Sequence, residues 1–182
     1  MEIYVVGGGI LAANAYLIAE HAGAPGVLID AGCGIPSLAK EVEKHTDGIA
    51  AVLLTHGHFD HIMALEKIKE IYNPEIYIHE NDADMLMDAS ENMSDRFIRK
   101  PLNLDKADVK FKDGDEIGVA GLNFKVFHTP GHTMGSSIFM IDSYAFSGDT
   151  LFKGSIGRFD FPHSDFESLV SSLERIKKEI PK

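Results

Sequence analysis

The chain has 182 residues, of which 45% are apolar and 25% charged, and a formal net charge of -11. This is the balance of one ordinary globular domain over 1–182; no stretch approaches the ~18–20 uninterrupted apolar residues of a membrane helix, and the acidic surface opposes attraction to nucleic-acid phosphates. One cysteine, Cys33, excludes an internal disulfide framework, and a start of Met1-Glu2-Ile3-Tyr4 lacks the basic region and cleavage pattern of a signal peptide, so the expected compartment is the cytoplasm.

Glu2–Val6 is an apolar run ended by Gly7-Gly8-Gly9, and it predicts a strand. Asn14–Ala19 and Gly26–Asp30 are further runs of strand length, separated by a turn-like segment with Gly23 and Pro25. Pro36–Lys44 predicts a short helix with Leu38 and Val42 on one face. Ile49–Thr55 is almost wholly apolar, as a strand buried on both faces would be. Ile62–Tyr72 places Ile62, Leu65, Ile68 and Ile71 on one helical stripe. Ile76–Ile78 predicts a strand and Asn81–Asp88 a helix. Ala89–Asp108 is polar and irregular, either a flap over a site or a solvated connection. Its Arg96, Arg99 and Lys100 are either anchors for an anionic substrate tail or a wet face.

The second half reads mostly as strands: Val109–Phe111, Ile117–Val119, Leu122–Thr129, Ser136–Ile141 and Tyr144–Ser147, with turns at Asp113-Gly114 and Asp142-Ser143. A final helix is expected behind a Ser164-x-x-Glu167 capping box, with Leu169, Val170, Leu173 and Ile176 along it. Two strand-rich halves, each with helices, predict two packed sheets with helices outside.

The chemistry concentrates in Thr55-His56-Gly57-His58-Phe59-Asp60-His61, between a buried strand and an amphipathic helix. In an extended loop side chains two apart point the same way, so His56 and His58 can grip one ion. Asp60 and His61, one step later, can reach a second ion. Imidazole and carboxylate together suit zinc, iron or manganese. Each residue alone has a bland reading, Asp60 as a helix cap for example. Four such groups at the mouth of an apolar strand are costly without a partner. His132, in His128-Thr129-Pro130-Gly131-His132, and Asp149, in Ser147-Gly148-Asp149, follow later strands and supply a third nitrogen and a bridging carboxylate.

The order His56-x-His58-x-Asp60-His61, His132, Asp149 resembles the metal motifs of the metallo-β-lactamase superfamily, and Asp30 in Leu28-Ile29-Asp30-Ala31-Gly32 resembles that family's first acidic motif. The resemblance covers essentially the whole chain. It implies an α/β fold of four layers, an αββα sandwich, with the site at one edge between the sheets. It implies that His56, His58 and His132 bind one metal, that Asp60 and His61 bind a second, that Asp149 bridges, and that Asp30 stands behind them; Asp60 and Asp30 are the candidate catalytic residues. Two divalent ions are implied, zinc foremost, iron or manganese as alternatives.

Gly148–Arg158 through Phe161-Pro162 resembles the small glyoxalase II-type hydrolases, which cleave acylated glutathione thioesters. Arg158 keeps the basic residue with which larger members hold glutathione, and Asp160 replaces a Tyr. Arg158 is the candidate substrate residue, or else a structural ion-pair partner of Asp160 or Asp165. The helical domain of larger members is absent from these residues. So is the family's last His, in a Pro-Gly-His-Gly context; His163 precedes the final helix instead. The expectation is a truncated chain; were the chain complete, the second ion would be short of a ligand. The implied function is hydrolysis of a small thioester or ester by a metal-bound hydroxide, with no nucleic-acid or membrane partner. The alternatives are a mononuclear iron persulfide dioxygenase using His56, His132 and Asp149, a lactonase or β-lactamase, and an incomplete, non-catalytic domain.

Overall fold

Central strands of the first half are apolar throughout and those of the second half alternate, so both faces of one sheet and the inner face of another must be covered. The computed structural model, which describes residues 1–7, 9–11 and 13–180, shows how. In chain order the elements are β1 (Glu2–Val6), β2 (Ala15–Ala19), β3 (Gly26–Ile29), α1 (Ile35–His45), β4 (Ile49–Leu53), α2 (Phe59–Ile62), α3 (Leu65–Tyr72), β5 (Glu75–His79) and a 3-10 helix (Glu80–Met87). There follow α4 (Ser94–Phe97), β6 (Val109–Phe111), β7 (Glu116–Val119), β8 (Leu122–His128), β9 (Ser137–Ile141), β10 (Tyr144–Phe146), β11 (Leu151–Phe152), β12 (Ser155–Ile156) and α5 (Phe166–Glu179).

The first sheet runs β1-β2-β3-β4-β5-β6 and the second β10-β9-β8-β7, while β11 and β12 form a small hairpin of their own. The pairs β3–β4, β4–β5 and β5–β6 are parallel, joined through helices, and the second sheet is antiparallel throughout. Val27, Ile29, Ala51 and Leu53 point into the space between the sheets and pack with Phe124, Val126, Phe139 and Ile141. Their neighbours Leu28 and Val52 point the other way, onto Leu38, Val42, Leu65 and Ile68 of α1 and α3. Continuous apolar strands are what a sheet covered on both faces requires. On the far side, α5 covers the second sheet: Leu169 is fully buried, and Arg175 lies over the Phe127 ring at 5.4 Å. The layers are therefore helix, sheet, sheet, helix. No helix among the described residues is long and apolar enough to cross a membrane.

Three expectations change. The helix foreseen over Ile62–Tyr72 starts earlier, at Phe59, and breaks after Ile62. The cause is the chain after β3: Ala64 N–H donates to the Ala31 carbonyl (2.9 Å) instead of continuing the helix, and Ala31 N–H donates to the His61 carbonyl (2.7 Å). Gly32 permits this crossing, since a Cβ there would lie 2.0 Å from the Asp60 carbonyl oxygen. Ile71 falls off the buried stripe and is 48% exposed. At α5 the cap is Asp165, whose carboxylate accepts Ser168 N–H at 2.7 Å, rather than Ser164. Finally, the polar stretch Ala89–Asp108 is exposed along much of its length, as a connection would be, but is tied down at one buried point. Buried Asn92 donates to the Met85 and Leu102 carbonyls and accepts Phe59 N–H through its own carbonyl, and Phe97 stacks on Phe59 at 5.3 Å. Arg96, Arg99 and Lys100 remain exposed.

Candidate metal centre

Every candidate ligand stands on a loop or first helical turn at one rim of the sandwich. β4 runs out into His56 and His58, the first turn of α2 carries Asp60 and His61, the β8–β9 loop carries His132, and the turn after β10 carries Asp149. Ligand atoms of His56, His58 and His132 all lie within 4.8 Å of one another, and those of His56, His61 and Asp149 do likewise. Asp149 faces both groups, with one carboxylate oxygen 3.1 Å from His61 Nε2 and the other 3.6 Å from His132 Nε2. Asp60 comes to 3.8 Å from His61 Nε2. The six residues named from the motif thus converge on one spot.

Outer hydrogen bonds decide which ring nitrogens are free. The Arg158 carbonyl can only accept, so His132 carries its proton on Nδ1 (2.8 Å) and turns a lone pair on Nε2 inward. The Asp30 carboxylate likewise takes His61 Nδ1–H at 2.8 Å. Thr55 Oγ1 spends its single proton on Asp30 (2.8 Å) and so accepts from His56 Nδ1 at 3.1 Å. His56 and His132 therefore turn Nε2 lone pairs inward, as metal ligands do when their second nitrogen is held from behind, and His61 Nε2 can do the same once its proton is displaced. His58 faces His132 nitrogen to nitrogen at 2.9 Å, and buried His56 Nε2 and His58 Nε2 have no hydrogen-bond partner among the described residues. Buried polar atoms are rarely left so; a cation is the partner this donor set fits. Asp30 performs its task from a left-handed φ of 59°, a conformation uncommon outside glycine.

Burial, and then the crowding of like groups, holds His56 and His58 well below the ordinary imidazole range, and burial lowers His132. Burial pulls the same way on His61, but Asp30 and Asp149 outweigh it and raise His61 well above that range. Burial also pushes on Asp149, where contact with His61 wins and the carboxyl stays low, whereas on Asp60 burial prevails and raises it. Neutral imidazoles at His56, His58 and His132 beside an ionised Asp149 are what a divalent ion requires, and at His61 the ion would displace the proton that faces Asp149. The histidine trio is shut in, with Phe161 packed edge-on against His58 (5.2 Å) and His132 (5.9 Å). The Asp60–His61–Asp149 side opens into a cleft of about 610 Å³, lined also by Leu11, Tyr16 and Phe152.

Arg158 is not among the residues that line this cleft: its guanidinium makes a two-pronged ion pair with Asp160 (2.9 Å each) and lies over Phe161 at 4.3 Å. Its contribution to the centre is the backbone carbonyl. His163 pairs with Glu91 at 2.8 Å and belongs to neither ligand group. The sequence reading missed Asp82, whose buried carboxylate accepts Gly57 N–H (3.1 Å), Thr133 Oγ1–H (2.6 Å) and Gly135 N–H (2.6 Å). Nothing in Glu80-Asn81-Asp82-Ala83-Asp84 distinguishes it from a surface acid.

Residues 8–179 match the model of a family described as the metallo-beta-lactamase superfamily. Hydroxyacylglutathione hydrolase GloC of Haemophilus influenzae is 34% identical over 149 residues, 80% of this chain and 70% of that protein. The crystal structure of the B3 metallo-beta-lactamase BLEG-1 superposes with a TM-score of 0.89 at 29% identity, covering 100% of this chain and 88% of that one. TTHA1623, crystallised in a di-iron-bound form, superposes at 0.78 with 32% identity, covering 98% and 87%.

Proposed function

The chain belongs to the metallo-β-lactamase superfamily, and from that premise we propose that it is a metal-dependent hydrolase of small thioesters, akin to glyoxalase II. The observation that carries the reading is the pair of converging ligand groups, sharing His56 and faced from both sides by Asp149, with buried ring nitrogens that lack partners. His56, His58 and His132 would hold one ion, Asp60 and His61 a second, and Asp149 both. Divalent ions held there would supply a water of lowered pKa and polarise a carbonyl. The residues of the chain do the rest. Asp30 and the Arg158 carbonyl fix the ring orientations, Asp60 presents a carboxylate at the floor of the cleft, and Phe161 keeps water from the histidine trio. Arg158, tied to Asp160, steadies Phe161.

A thiolate leaves readily, the free thiol having a pKa of about 8.5, so no strong general acid is needed. Support for a thioester over other carbonyl substrates comes from the GloC relative. For the metal, zinc suits the histidine-rich set, and iron is the second reading, favoured by the di-iron form of TTHA1623.

The test is elemental analysis of the purified protein beside hydrolysis of a thioester panel, with β-lactams and lactones included. About two metal ions per chain and thioester cleavage are expected, both abolished in His132→Ala. Cleavage of lactams or lactones alone would replace the thioester reading, and an active metal-free His132→Ala protein would sink the metal reading.

A further inference from the structure

We propose that Asp82 is a positioning residue that sets the spacing of the two ligand loops, and with it the geometry of the His56–His58–His132 group. The proposal rests on the metal-hydrolase reading above. Asp82 is 1% exposed, on the 3-10 helix behind the centre. Its carboxylate reaches both loops at once. Oδ2 accepts from Gly57, the residue between His56 and His58, and from the hydroxyl of Thr133, the residue after His132. Oδ1 accepts from Gly135 at 2.6 Å. The Thr133 hydroxyl, having given its proton to Asp82, accepts from Ser136 Oγ at 2.7 Å, and Ser136 Oγ in turn accepts Thr133 N–H at 2.9 Å, so the second loop is held as a unit.

The fit is tight on both sides. A Cβ on Gly135 would lie 2.5 Å from Asp82 Cγ, and one on Gly57 would lie 2.7 Å from Met85 Cβ. Glycine at 135 lets the backbone approach the carboxylate this closely, and glycine at 57 clears the Met85 side chain beside it. Nor does Asp82 have a cationic side-chain partner among the described residues. A buried carboxylate with three donors and no cation is costly, and burial raises its pKa despite those donors. What the arrangement gains is position. Bonds of 3.1 Å to Gly57 and 2.6 Å to each of Thr133 and Gly135 fix where the two loops stand, and Gly57 and Thr133 are each the chain neighbour of a ligand. Residues behind a metal's ligands typically change affinity about 10–100-fold when altered.

The experiment uses the full chain and the near-isosteric variant Asp82→Asn, which replaces one acceptor oxygen by a donor. Zinc affinity is measured by chelator competition, and cobalt-substituted protein reports ligand geometry through its visible absorption. Asp82→Asn is expected to weaken binding of the tighter ion about 10–100-fold and to shift the cobalt spectrum. Thr133→Val, which deletes one of the three bonds, should fall between it and the wild type. A purely structural role would lower the melting temperature and leave affinity and spectrum unchanged in folded Asp82→Asn; that result overturns the proposal. Amide hydrogen exchange at Gly57 and Gly135 in metal-free protein gives a readout independent of metal. If the wild type binds no metal, the hydrolase reading fails, while faster exchange at both glycines in Asp82→Asn still supports loop setting and unchanged exchange rejects it.

Discussion

His79, at the end of β5, stacks on His128 with 3.9 Å between ring centroids and accepts Asn81 N–H on Nδ1 at 3.2 Å. Burial, then the neighbouring His128, holds its pKa down to about 4, against the opposing pull of Glu80, Asp113 and Asp115. The folded protein therefore lacks a proton that the unfolded chain binds between the unfolded value, about 6.5, and about 4. Stability contributed by the neutral ring is present above that window and is lost as pH falls through it, on the order of 3 kcal/mol in full. Urea unfolding at pH 7.5 and 4.5 should show a smaller acid loss for His79→Gln than for the wild type, and equal losses would refute the assignment. At this same scale the motif was readable because ligands betray themselves by residue type: His56, His58, His61 and His132 cannot be mistaken for turn residues. Asp82 and the Arg158 carbonyl were not readable. A carboxylate facing backbone N–H groups far along the chain has no spacing rule, and a carbonyl has no residue type at all.

The start of α5 separates two roles that sequence pattern had merged. Ser164 sits where a capping box would put it, yet its hydroxyl donates to the His132 carbonyl at 2.8 Å, while Asp165 caps the helix. Asp165→Ala should therefore cost about 1 kcal/mol of stability, read by urea denaturation, with metal affinity kept. Ser164→Ala should do the reverse, weakening the metal centre more than the fold. The broken α2–α3 helix was hidden for a related reason. Ile62, Leu65 and Ile68 keep a helical stripe across the break, and the hydrogen bonds that cause it come from Ala31, a chain segment that local periodicity does not see.

Across the whole molecule, layer order was legible because buried parallel strands such as Ile49–Leu53 are apolar throughout while β8 alternates, burying Leu122, Phe124 and Val126 between exposed Asn123 and Lys125. The rim on which the ligands gather was legible only through the family resemblance, since it depends on which strand ends meet. Under the metal-hydrolase reading, ions bind the folded rim and not the unfolded chain, so they stabilise it by mass action. At free metal one hundred times Kd the gain is about 2.7 kcal/mol, or roughly 5–10 °C in Tm for a chain of this size. Calorimetry with and without a chelator should show that drop, and His132→Ala should show none.

The centre has a shut side and an open one. His56, His58 and His132 are 1%, 4% and 2% exposed, whereas the Asp60 and Asp149 side chains are 14% and 26% exposed and line the cleft. Two ions held there would leave on two clocks. The outer one would be lost to a chelator in a fast phase. The inner one departs only as fast as the Phe161 side opens, a motion of the slower, local-unfolding kind. Stopped-flow chelation should then be biphasic, with one ion per phase. A protein given one metal while folding and another afterwards should carry the first inside and the second outside, so that its composition records the order of supply.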